Sequence, residues 1–409
     1  MKAKVFIIIL YLLISQNSYS QWVGKFQNFG DNKTVYSLVF NNGVLFAATG
    51  AYGVSYTSSN GDDWSSELTY QTIDGTVRSM ILNENRFYAS VDDSGVYTSM
   101  NGYTWTRTSL GDKEVYSIAA NSNIVYAGTW GKGVFKSTNY GATWDSSGLS
   151  GMRVTALAIS GNYIFAGTNN STTPKGVYIS TNGGANWTQS SLNNKVVTSF
   201  ALQGTNIFAS TYNQNPSGVY ISTNFGVTWT ITALNNKLVN NVYSYDNKLF
   251  AGVYNGGVYY SSNNGSTWKT KNEGFPPASL PSVYCFAVAN GYIFEGNYGW
   301  SVWRRSYSET IDIKQLSSEV PAGYKLEQNY PNPFNPTTTI NFSIPKESIL
   351  SFIIYDASGK EIQRILNNER TKAGAYEIKF NGNHLTSGVY FYRFETGDFT
   401  GTKKMILLK

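Results

Sequence analysis

Acidic residues stand directly ahead of several repeated apolar segments in the first third of this 409-residue sequence. They are Asp31, Asp74, Asp112 and Glu114. If the apolar segments are neighbouring strands, these four carboxyl groups lie along one rim. Hydrolysis of a glycosidic bond requires two carboxyl groups about 5 to 9.5 Å apart. The acids are therefore candidates for such a pair, although acids ahead of strands are commonly solvated loop residues.

The sequence contains too few histidines and cysteines for catalysis or metal binding that depends on either residue. Cys285 is the only cysteine and His384 is the only histidine. A single cysteine forms no intramolecular disulfide and no cysteine metal cluster. A lone histidine supplies neither a set of metal ligands nor, from its place near the end of the chain, the base of a Ser-His-Asp relay. We predict no metal and no cofactor, and we assign no catalytic residue.

Aromatic rings offer another chemistry, which is stacking on a ligand. One loop position recurs seven times, shortly after a strand that ends in Ala and a small residue. Its occupants are Gly50, Asp92, Trp130, Asn169, Tyr212, Tyr254 and Tyr298. Four of the seven are aromatic, and Trp300 follows closely. Such rings stack on sugar faces or grip peptide side chains, although a chain with 31 tyrosines places tyrosine in many loops.

Two charged residues join these aromatic candidates. Arg78 stands at the start of an apolar segment. Glu295 interrupts a column of alanines, and a carboxylate at a small-residue position either contacts a ligand or is accommodated by an irregular last repeat. The alanines of that column are Ala47, Ala89, Ala127, Ala166, Ala209 and Ala251.

The elements that position these residues follow from an internal repeat. Tryptophans recur at roughly 40-residue intervals, which is the length of a four-stranded propeller blade. They are Trp64, Trp105, Trp144, Trp187, Trp229 and Trp268. Seven apolar segments begin with valine, at Val35, Val77, Val115, Val154, Val197, Val239 and Val283. We therefore predict an all-β, seven-bladed propeller in which residues 21–29, around Trp22, pair with the last blade and close the ring.

The turn ahead of each tryptophan also repeats. Four copies read S-x-N-x-G-x-x-W, in which Asn bonds the turn backbone, Gly accepts positive φ and Trp covers the sheet. The residues of these turns are Asn139, Gly141, Trp144, Asn182, Gly184, Trp187, Asn224, Gly226, Trp229, Asn263, Gly265 and Trp268. The first two copies carry Ser59 and Met100 at the Asn position. We predict that the turns are structural and hold no cation, since Asn and Ser supply no charge.

These turns resemble the Asp-box, or bacterial neuraminidase repeat, found in sialidases, sortilin-type receptors, xyloglucanases and photosystem II assembly-factor propellers. The resemblance covers roughly residues 22–306, with Asn in the place of the usual Asp. The early Arg-Ile-Pro phrase of sialidases does not occur, and Arg78, Arg153, Arg304 and Arg305 do not form a convincing triad. Xyloglucanase-like enzymes place their acids between two propellers, and this chain has repeats for one.

The two ends carry signals of another kind. Lys2 and Lys4, an apolar run and a small-residue site predict a signal peptide over residues 1–20. Near the other end, residues 329–336 read NYPNPFNP, followed by DASGK at 356–360, SGVY at 387–390 and KKM at 403–405. These phrases resemble the type A sorting domain of the type IX secretion system. That family implies a Bacteroidota-type cell with two membranes, export across the outer one, and removal of the tail with attachment to surface lipopolysaccharide.

The predicted organisation is therefore a propeller over residues 21–306, a linker over 307–323 and a small Ig-like antiparallel β-sandwich over 324–409. No apolar stretch is long enough to span a bilayer. The net charge of +6 is scattered along the chain, which argues against nucleic-acid binding. We expect a monomer that reaches the outside or the cell surface via the periplasm. We predict a binding or scaffolding function with a carbohydrate or protein ligand, and glycoside hydrolysis is the alternative.

Overall fold

The structure of the chain is a computed structural model. It describes residues 21–25, 33–50, 53–65, 73, 75–169, 173–213, 215–276, 278–307, 313–382 and 385–409. The predicted signal peptide, residues 26–29 of the predicted closing strand, Asp31, Asp74 and His384 lie outside these ranges.

The described residues form β-sheets throughout. Seven sheets lie within residues 23–306. In chain order their strands are β1 (Val23–Gly24), β2 (Val35–Asn41), β3 (Val44–Thr49), β4 (Val54–Thr57), β5 (Val77–Asn83), β6 (Arg86–Val91), β7 (Gly95–Ser99), β8 (Thr106–Arg107), β9 (Val115–Asn121), β10 (Ile124–Thr129), β11 (Val134–Ser137), β12 (Asp145–Ser146), β13 (Val154–Ser160), β14 (Tyr163–Thr168), β15 (Val177–Ser180), β16 (Thr188–Gln189), β17 (Val196–Gln203), β18 (Asn206–Tyr212), β19 (Gly218–Ser222), β20 (Thr230–Asn235), β21 (Val239–Tyr245), β22 (Lys248–Val253), β23 (Gly257–Ser261), β24 (Lys269–Thr270), β25 (Val283–Ala289), β26 (Tyr292–Asn297) and β27 (Val302–Ser306).

These sheets form a closed ring. The first strand of each sheet lies beside the first strand of the next, and β25 lies beside β2. The second strands are buried along nearly their whole length, because neighbouring sheets cover both of their faces. Phe46 of one sheet, for example, packs against Phe87 of the next, with ring centroids 5.0 Å apart. The all-β propeller prediction is confirmed.

The N-terminal strand supplies the outer edge of the last sheet. β1 pairs with β27, Val23 opposite Arg304 and Gly24 opposite Trp303. Trp22 is 1% exposed and its ring stacks on Phe275 at 5.3 Å. Its indole N–H donates to the carbonyl of Lys271, 249 positions away, at 2.6 Å. The prediction that the chain start completes the last sheet is confirmed for these residues.

The remainder of the chain forms two further four-stranded sheets. Their strands are β28 (Ile313–Ser317), β29 (Lys325–Leu326), β30 (Thr337–Ile344), β31 (Ser348–Asp356), β32 (Glu361–Thr371), β33 (Gly374–Asn381), β34 (Gly388–Thr396) and β35 (Thr400–Leu407). One sheet has the order β28-β33-β30-β29 and the other β32-β31-β34-β35. Alternating apolar residues such as Ile340, Phe342, Phe352 and Phe394 form the core between them. This is a small antiparallel sandwich.

The predicted linker over 307–323 is too long. Ile313–Ser317 pairs with β33 and is an edge strand of the sandwich. Tyr307 is fully buried, and its amide donates to the carbonyl of Gly291 at 2.8 Å. Tyr307 belongs to a hydrophobic core, whereas Leu316 of the edge strand is 48% exposed, so that strand is held by its pairing with β33.

The sandwich contacts the propeller at the hairpin between β21 and β22. The Lys248 amine pairs with Asp246 at 2.6 Å, and both side chains are buried. The same amine donates to the carbonyl of Arg364 in the sandwich at 3.4 Å. This hairpin lies at the end of β21 away from Val239. The opposite end of the ring is therefore not the end where the sandwich attaches.

Candidate functional site

The recurring loop position predicted from sequence is built the same way in successive sheets. The amide of Trp130 donates to the carbonyl of Glu114 at 2.9 Å, and Tyr254 donates to Leu238 at 2.9 Å. The amide of Tyr298 donates to Ser282 at 3.0 Å. Gly50, Asp92 and Asn169 make the same bond to the residue one or two positions ahead of an inner strand. The aromatic candidates therefore share one end of the ring, as predicted.

A second set of residues at this end arises from a bulge. In six of the seven inner strands the pairing register skips the second residue, and in β17 it skips the third, so that residue has no partner in the ladder. Bulges of this kind re-aim a side chain away from the normal alternation. The skipped residues are Tyr36, Arg78, Tyr116, Thr155, Thr198, Asn240 and Tyr284. Four of them bear large planar groups.

These planar groups join the loop aromatics in a continuous series. The Trp130 ring stacks on Tyr116 at 4.7 Å. The Arg78 guanidinium lies over Tyr116 at 4.7 Å and over Tyr36 at 5.5 Å. We call the series the aromatic arc, and it consists of Trp130, Tyr116, Arg78, Tyr36, Tyr284 and Tyr298.

The other end of the arc is formed by tyrosines. Tyr36 stacks on Tyr284 at 5.7 Å, and Tyr298 meets Tyr284 edge-on at 6.4 Å. Tyr212 and Tyr254 form a second edge-on pair at 5.8 Å. Burial raises the pKa of Tyr284 to about 12, and the surrounding tyrosine hydroxyls raise it too. That hydroxyl is protonated at neutral pH and remains a hydrogen-bond donor.

The site is open to a ligand at its loops and closed beneath them. Tyr298 is 63% exposed and Tyr254 is 43% exposed. Trp130 and Tyr212 are half-buried. Trp300 is also half-buried, but its ring lies beside Trp303 at 6.4 Å and not against the arc. A flat ligand can therefore reach the outer rings directly, whereas the rings at the base hold the outer ones in place.

Charged groups in the loops of the second and third sheets at this end have partners close by. Arg78 pairs with Asp92 at 2.6 Å between their side chains. The Tyr116 hydroxyl donates to Glu114 at 3.0 Å. Asp112 instead pairs with Arg107 of an outer strand, and its side chain is 86% exposed. Asp112 and Glu114 thus have separate partners, and Arg78 is a member of the arc and not of an arginine triad.

Glu295 does not contact a ligand directly. It is fully buried, and it lies opposite Phe286 and Trp303 in the sheet, facing the neighbouring sheet. One carboxyl oxygen accepts from the Asn297 amide at 2.8 Å, and the other has no partner. The interpretation as a ligand contact is therefore corrected to a structural one. The last sheet, whose outer strand comes from the start of the chain, accommodates the glutamate side chain at a position that is alanine in the other six sheets.

Glu295 nevertheless supports the ligand loop. Asn297, held by Glu295, accepts the backbone amide of Trp300 at 3.0 Å. The carbonyl of Trp300 accepts the indole N–H of Trp303 at 3.1 Å. Glu295 therefore acts as a positioning residue for the loop that carries Tyr298.

We expect Glu295→Gln to stabilise the protein at high pH and to have little effect near pH 4. Burial raises the pKa of Glu295 well above its usual range, although the Asn297 hydrogen bond opposes this. In the unfolded chain a glutamate has a pKa of about 4.3. The folded form therefore loses stability as pH rises above that value, and a neutral amide removes this loss. Melting temperatures from pH 4 to 9 measure it.

The control for this prediction is Glu84→Gln, since Glu84 is an exposed turn residue. Cys285 is the titratable neighbour. Burial first, and the nearby Glu295 second, raise the pKa of its thiol, so the thiol stays neutral over this range. If the melting temperatures of wild type and Glu295→Gln change in parallel from pH 4 to 9, the Glu295 carboxyl is ionised in the folded protein and the prediction is wrong.

The repeated turns lie at the opposite end of the ring and are occupied by their own backbone. The Asn139 side-chain oxygen accepts the Thr143 amide at 2.9 Å, and Gly141 donates to Ser137 Oγ at 2.8 Å. The turns at Asn182, Asn224 and Asn263 repeat both bonds. A side chain at Gly226 would also meet the Phe165 ring at 2.9 Å.

The first two turns use different residues from the rest. Ser59 Oγ accepts the Asp63 amide at 2.9 Å, as Asn does elsewhere. In the second turn Asn101, not Met100, accepts the Thr104 amide at 2.9 Å. This turn is one residue shorter than the others. The prediction that Met100 occupies the Asn position, which assumed equal turn lengths, is therefore wrong. Within the described ranges, no three His, Cys, Asp or Glu side chains are grouped to hold a metal ion.

Family profiles match both parts of the chain. Residues 328–408 match the secretion system C-terminal sorting domain, and residues 15–153 match the DUF6242 β-propeller domain. This protein is a β-propeller with a type IX secretion sorting domain. Among the described residues of this propeller protein, no helix has the length and apolar character needed to cross a membrane. A search of curated proteins found no match to the chain.

Several solved structures share the fold. PorZ, a surface component of the type IX secretion system of Porphyromonas gingivalis, is 16% identical with a TM-score of 0.55, over 93% of this chain and 60% of PorZ. YCF48 from Cyanidioschyzon merolae is 13% identical with a TM-score of 0.54, over 71% of this chain and 100% of its own. A GH74 xyloglucanase from Xanthomonas campestris is 13% identical with a TM-score of 0.55, over 79% and 59%. This chain thus spans well under two thirds of PorZ.

The sequence indicated the loop aromatics and Arg78, but it did not indicate the other three planar residues at the bulges, which are Tyr36, Tyr116 and Tyr284. The residue after each starting valine is Tyr36, Arg78, Tyr116 or Tyr284 in four repeats. That pattern is visible without a structure. Its meaning depends on the register skip, which turns these side chains out of the ordinary alternation of the strand.

Proposed function

We propose that this protein is a secreted or cell-surface binding module that holds an extended ligand, a polysaccharide or a protein segment, across the aromatic arc. The observation that carries the proposal is the continuous series of ring and guanidinium contacts from Trp130 to Tyr298, in which Tyr298 is exposed and the rings of Tyr36, Tyr116 and Tyr284 are half-buried. Flat, rigid aromatic groups provide contact area at a low cost in conformational entropy. The end of the ring that carries the arc is also not the end where the sandwich attaches.

The available acids do not favour hydrolysis. A general acid needs a pKa raised toward neutral pH and access to the substrate. Among the described carboxyls, burial raises the pKa of Glu295 and of Asp246. Both side chains are buried, one between sheets and the other beneath the sandwich. Binding without catalysis is the simpler account of this end of the ring.

The proposal includes the export route of the protein and the boundaries of its domains. Residues 1–20 act as a signal peptide for passage into the periplasm, and residues 324–409, as a type A sorting domain, direct export across the outer membrane. The propeller over residues 21–306, with its Asp-box-like turns, is the part that functions outside as a monomer. The sorting-domain match over 328–408 supports the position of the second boundary.

Replacing Trp130 and Tyr298 of the aromatic arc, and Tyr212 and Tyr254 of the pair beside it, by alanine tests the binding face. Each central ring that is removed is expected to cost about 1 to 3 kcal/mol of binding free energy, because it removes stacking area that no neighbour replaces. Titration calorimetry with polysaccharides and peptides identified by a binding screen measures the loss. Asn182→Ala and Asn224→Ala, in turns at the opposite end, are the controls. A ligand whose affinity falls only with the turn variants would place the binding site at the wrong end for this proposal.

A further inference from the structure

The charge of the propeller is distributed unevenly between its two halves. From Val115 to Tyr245 the sequence contains a single acidic residue, Asp145, which lies in an outermost strand. The same stretch contains six basic residues, which are Lys132, Lys136, Arg153, Lys175, Lys195 and Lys237. A bias of this size over more than three sheets makes this half of the ring strongly basic.

Five of the six basic residues lie in loops at the end that carries the arc. Arg153 bridges to Trp130, and its carbonyl accepts the Asn169 amide at 3.0 Å. The Gly176 amide, next to Lys175, donates to the carbonyl of Lys195 at 3.1 Å. The Lys237 amide donates to Ser217, in the loop after Tyr212, at 3.3 Å. We call Lys132, Arg153, Lys175 and Lys237 the basic sector.

Lys136 and Lys195 are not part of that sector. The Lys136 amine donates to the carbonyl of Gly183, in a turn at the other end of the ring. Lys195 is buried, and its amine donates to the carbonyl of Asn215 at 3.3 Å. The four residues of the basic sector are exposed. In the part of the chain that the structure describes, none of these four forms an ion pair.

Cations and rings are combined in this sector. The Arg153 guanidinium lies over the Trp130 ring at 4.2 Å, and Tyr116 stacks on the same ring at 4.7 Å, so the ring orients this cation at the edge of the aromatic arc. Tyr212 and Tyr254 lie in the loops that follow along the same side. The acids described at this end, Asp92, Asp93, Asp112 and Glu114, lie in loops of the second sheet and just ahead of the third, where the carbonyl of Glu114 accepts the Trp130 amide, so they border the basic sector on one side.

We infer that the ligand is a carboxylate-bearing polysaccharide, which rests on the proposed function and names its ligand class. Charges that are spaced over several sheets match a polymer with an anion on each repeat, and not a single small anion. Rings between the charges fit sugar faces. The acidic side repels the same polymer and so fixes where it lies. The sorting domain implies secretion or a cell-surface location, and either one puts the site among extracellular polymers.

The test compares two polymers that differ only in charge, polygalacturonate and its fully methyl-esterified form, with the full chain. We expect polygalacturonate to bind more tightly at low ionic strength, and the difference to shrink as salt is added. The triple variant Lys132→Gln, Lys175→Gln and Lys237→Gln should weaken polygalacturonate binding about thirtyfold, at about threefold for each exposed charge. The matched control, Lys269→Gln with Lys360→Gln and Lys379→Gln, removes three exposed charges elsewhere and should leave affinity unchanged.

Other outcomes overturn the inference in distinguishable ways. Equal binding of both polymers, unaffected by the triple variant but lost in Tyr212→Ala with Tyr254→Ala, overturns the charge assignment and leaves the stacking site standing. Tighter binding of single-stranded DNA than of polygalacturonate, with the same dependence on the basic sector, replaces the polysaccharide with nucleic acid. Polymer binding that ignores both sets of variants overturns the inference and the proposed function together.

Discussion

Trp22→Ala is expected to lower the free energy of unfolding by about 3–5 kcal/mol, the usual cost of truncating a fully buried large aromatic residue. Trp22 is 1% exposed and stacks on Phe275. It also ties the chain start to Lys271 through its indole N–H. The truncation therefore leaves a cavity and an unsatisfied carbonyl at the seam where the ring closes. Urea or thermal unfolding of the purified protein measures the loss.

Val23→Ala is the matched control, because Val23 lies in the same short strand and is 45% exposed. An exposed substitution of this kind is expected to change stability by no more than about 0.5 kcal/mol. If Trp22→Ala unfolds at the same denaturant concentration as Val23→Ala, the seam contributes little to stability and the closing strand is not what holds the ring together.

Deletion of residues 313–409 is expected to abolish the appearance of the protein outside the cell while leaving a folded propeller inside. The deletion removes both sheets of the sandwich as a unit, including the edge strand Ile313–Ser317. The sorting-domain match lies wholly within the deleted segment. Fractionation of the producing cells, with immunodetection in the medium, on the surface and in the periplasm, measures the effect.

Lys379→Gln in the full chain is the control for export, since this exposed residue of β33 lies outside the sorting-domain phrases and its replacement leaves both sheets intact. Cooperative unfolding of the shortened protein from the cell interior establishes that it folds. A shortened protein that still reaches the medium in undiminished amount would show that another part of the chain directs export.

The propeller was predictable because the same pattern of a starting valine and a closing tryptophan recurs along the chain. Each starting valine marked an inner strand, to within a residue at Val196. The sandwich was less predictable. The strand Glu361–Thr371 combines glutamate, arginine and asparagine with few apolar residues, and Thr400–Leu407 contains Lys403 and Lys404. Their polar residues occupy positions that alternate with the core, and single short stretches give no repetition against which to check the period.

The site shows the same division. Loop aromatics could be aligned by counting residues, whereas Arg78 was recognised as a candidate without its neighbours. Its place between Tyr36 and Tyr116 depends on three strands from different sheets meeting at the centre of the ring. Glu295 was noticed because it breaks a column, but only its burial decides between ligand contact and support. Long-range packing, which a local pattern does not encode, decided both cases.

The seam between β1 and β27 also determines when this protein can finish folding. The strand that is synthesised first pairs with one that is synthesised last within the propeller, Val23 with Arg304. A contact between such distant positions forms late and slowly, because the whole intervening chain must first be present and ordered. A nascent chain that stops short of β27 has no partner for its first strand and remains an open, incomplete structure. The propeller of this exported protein therefore completes its fold only after its last sheet has been synthesised.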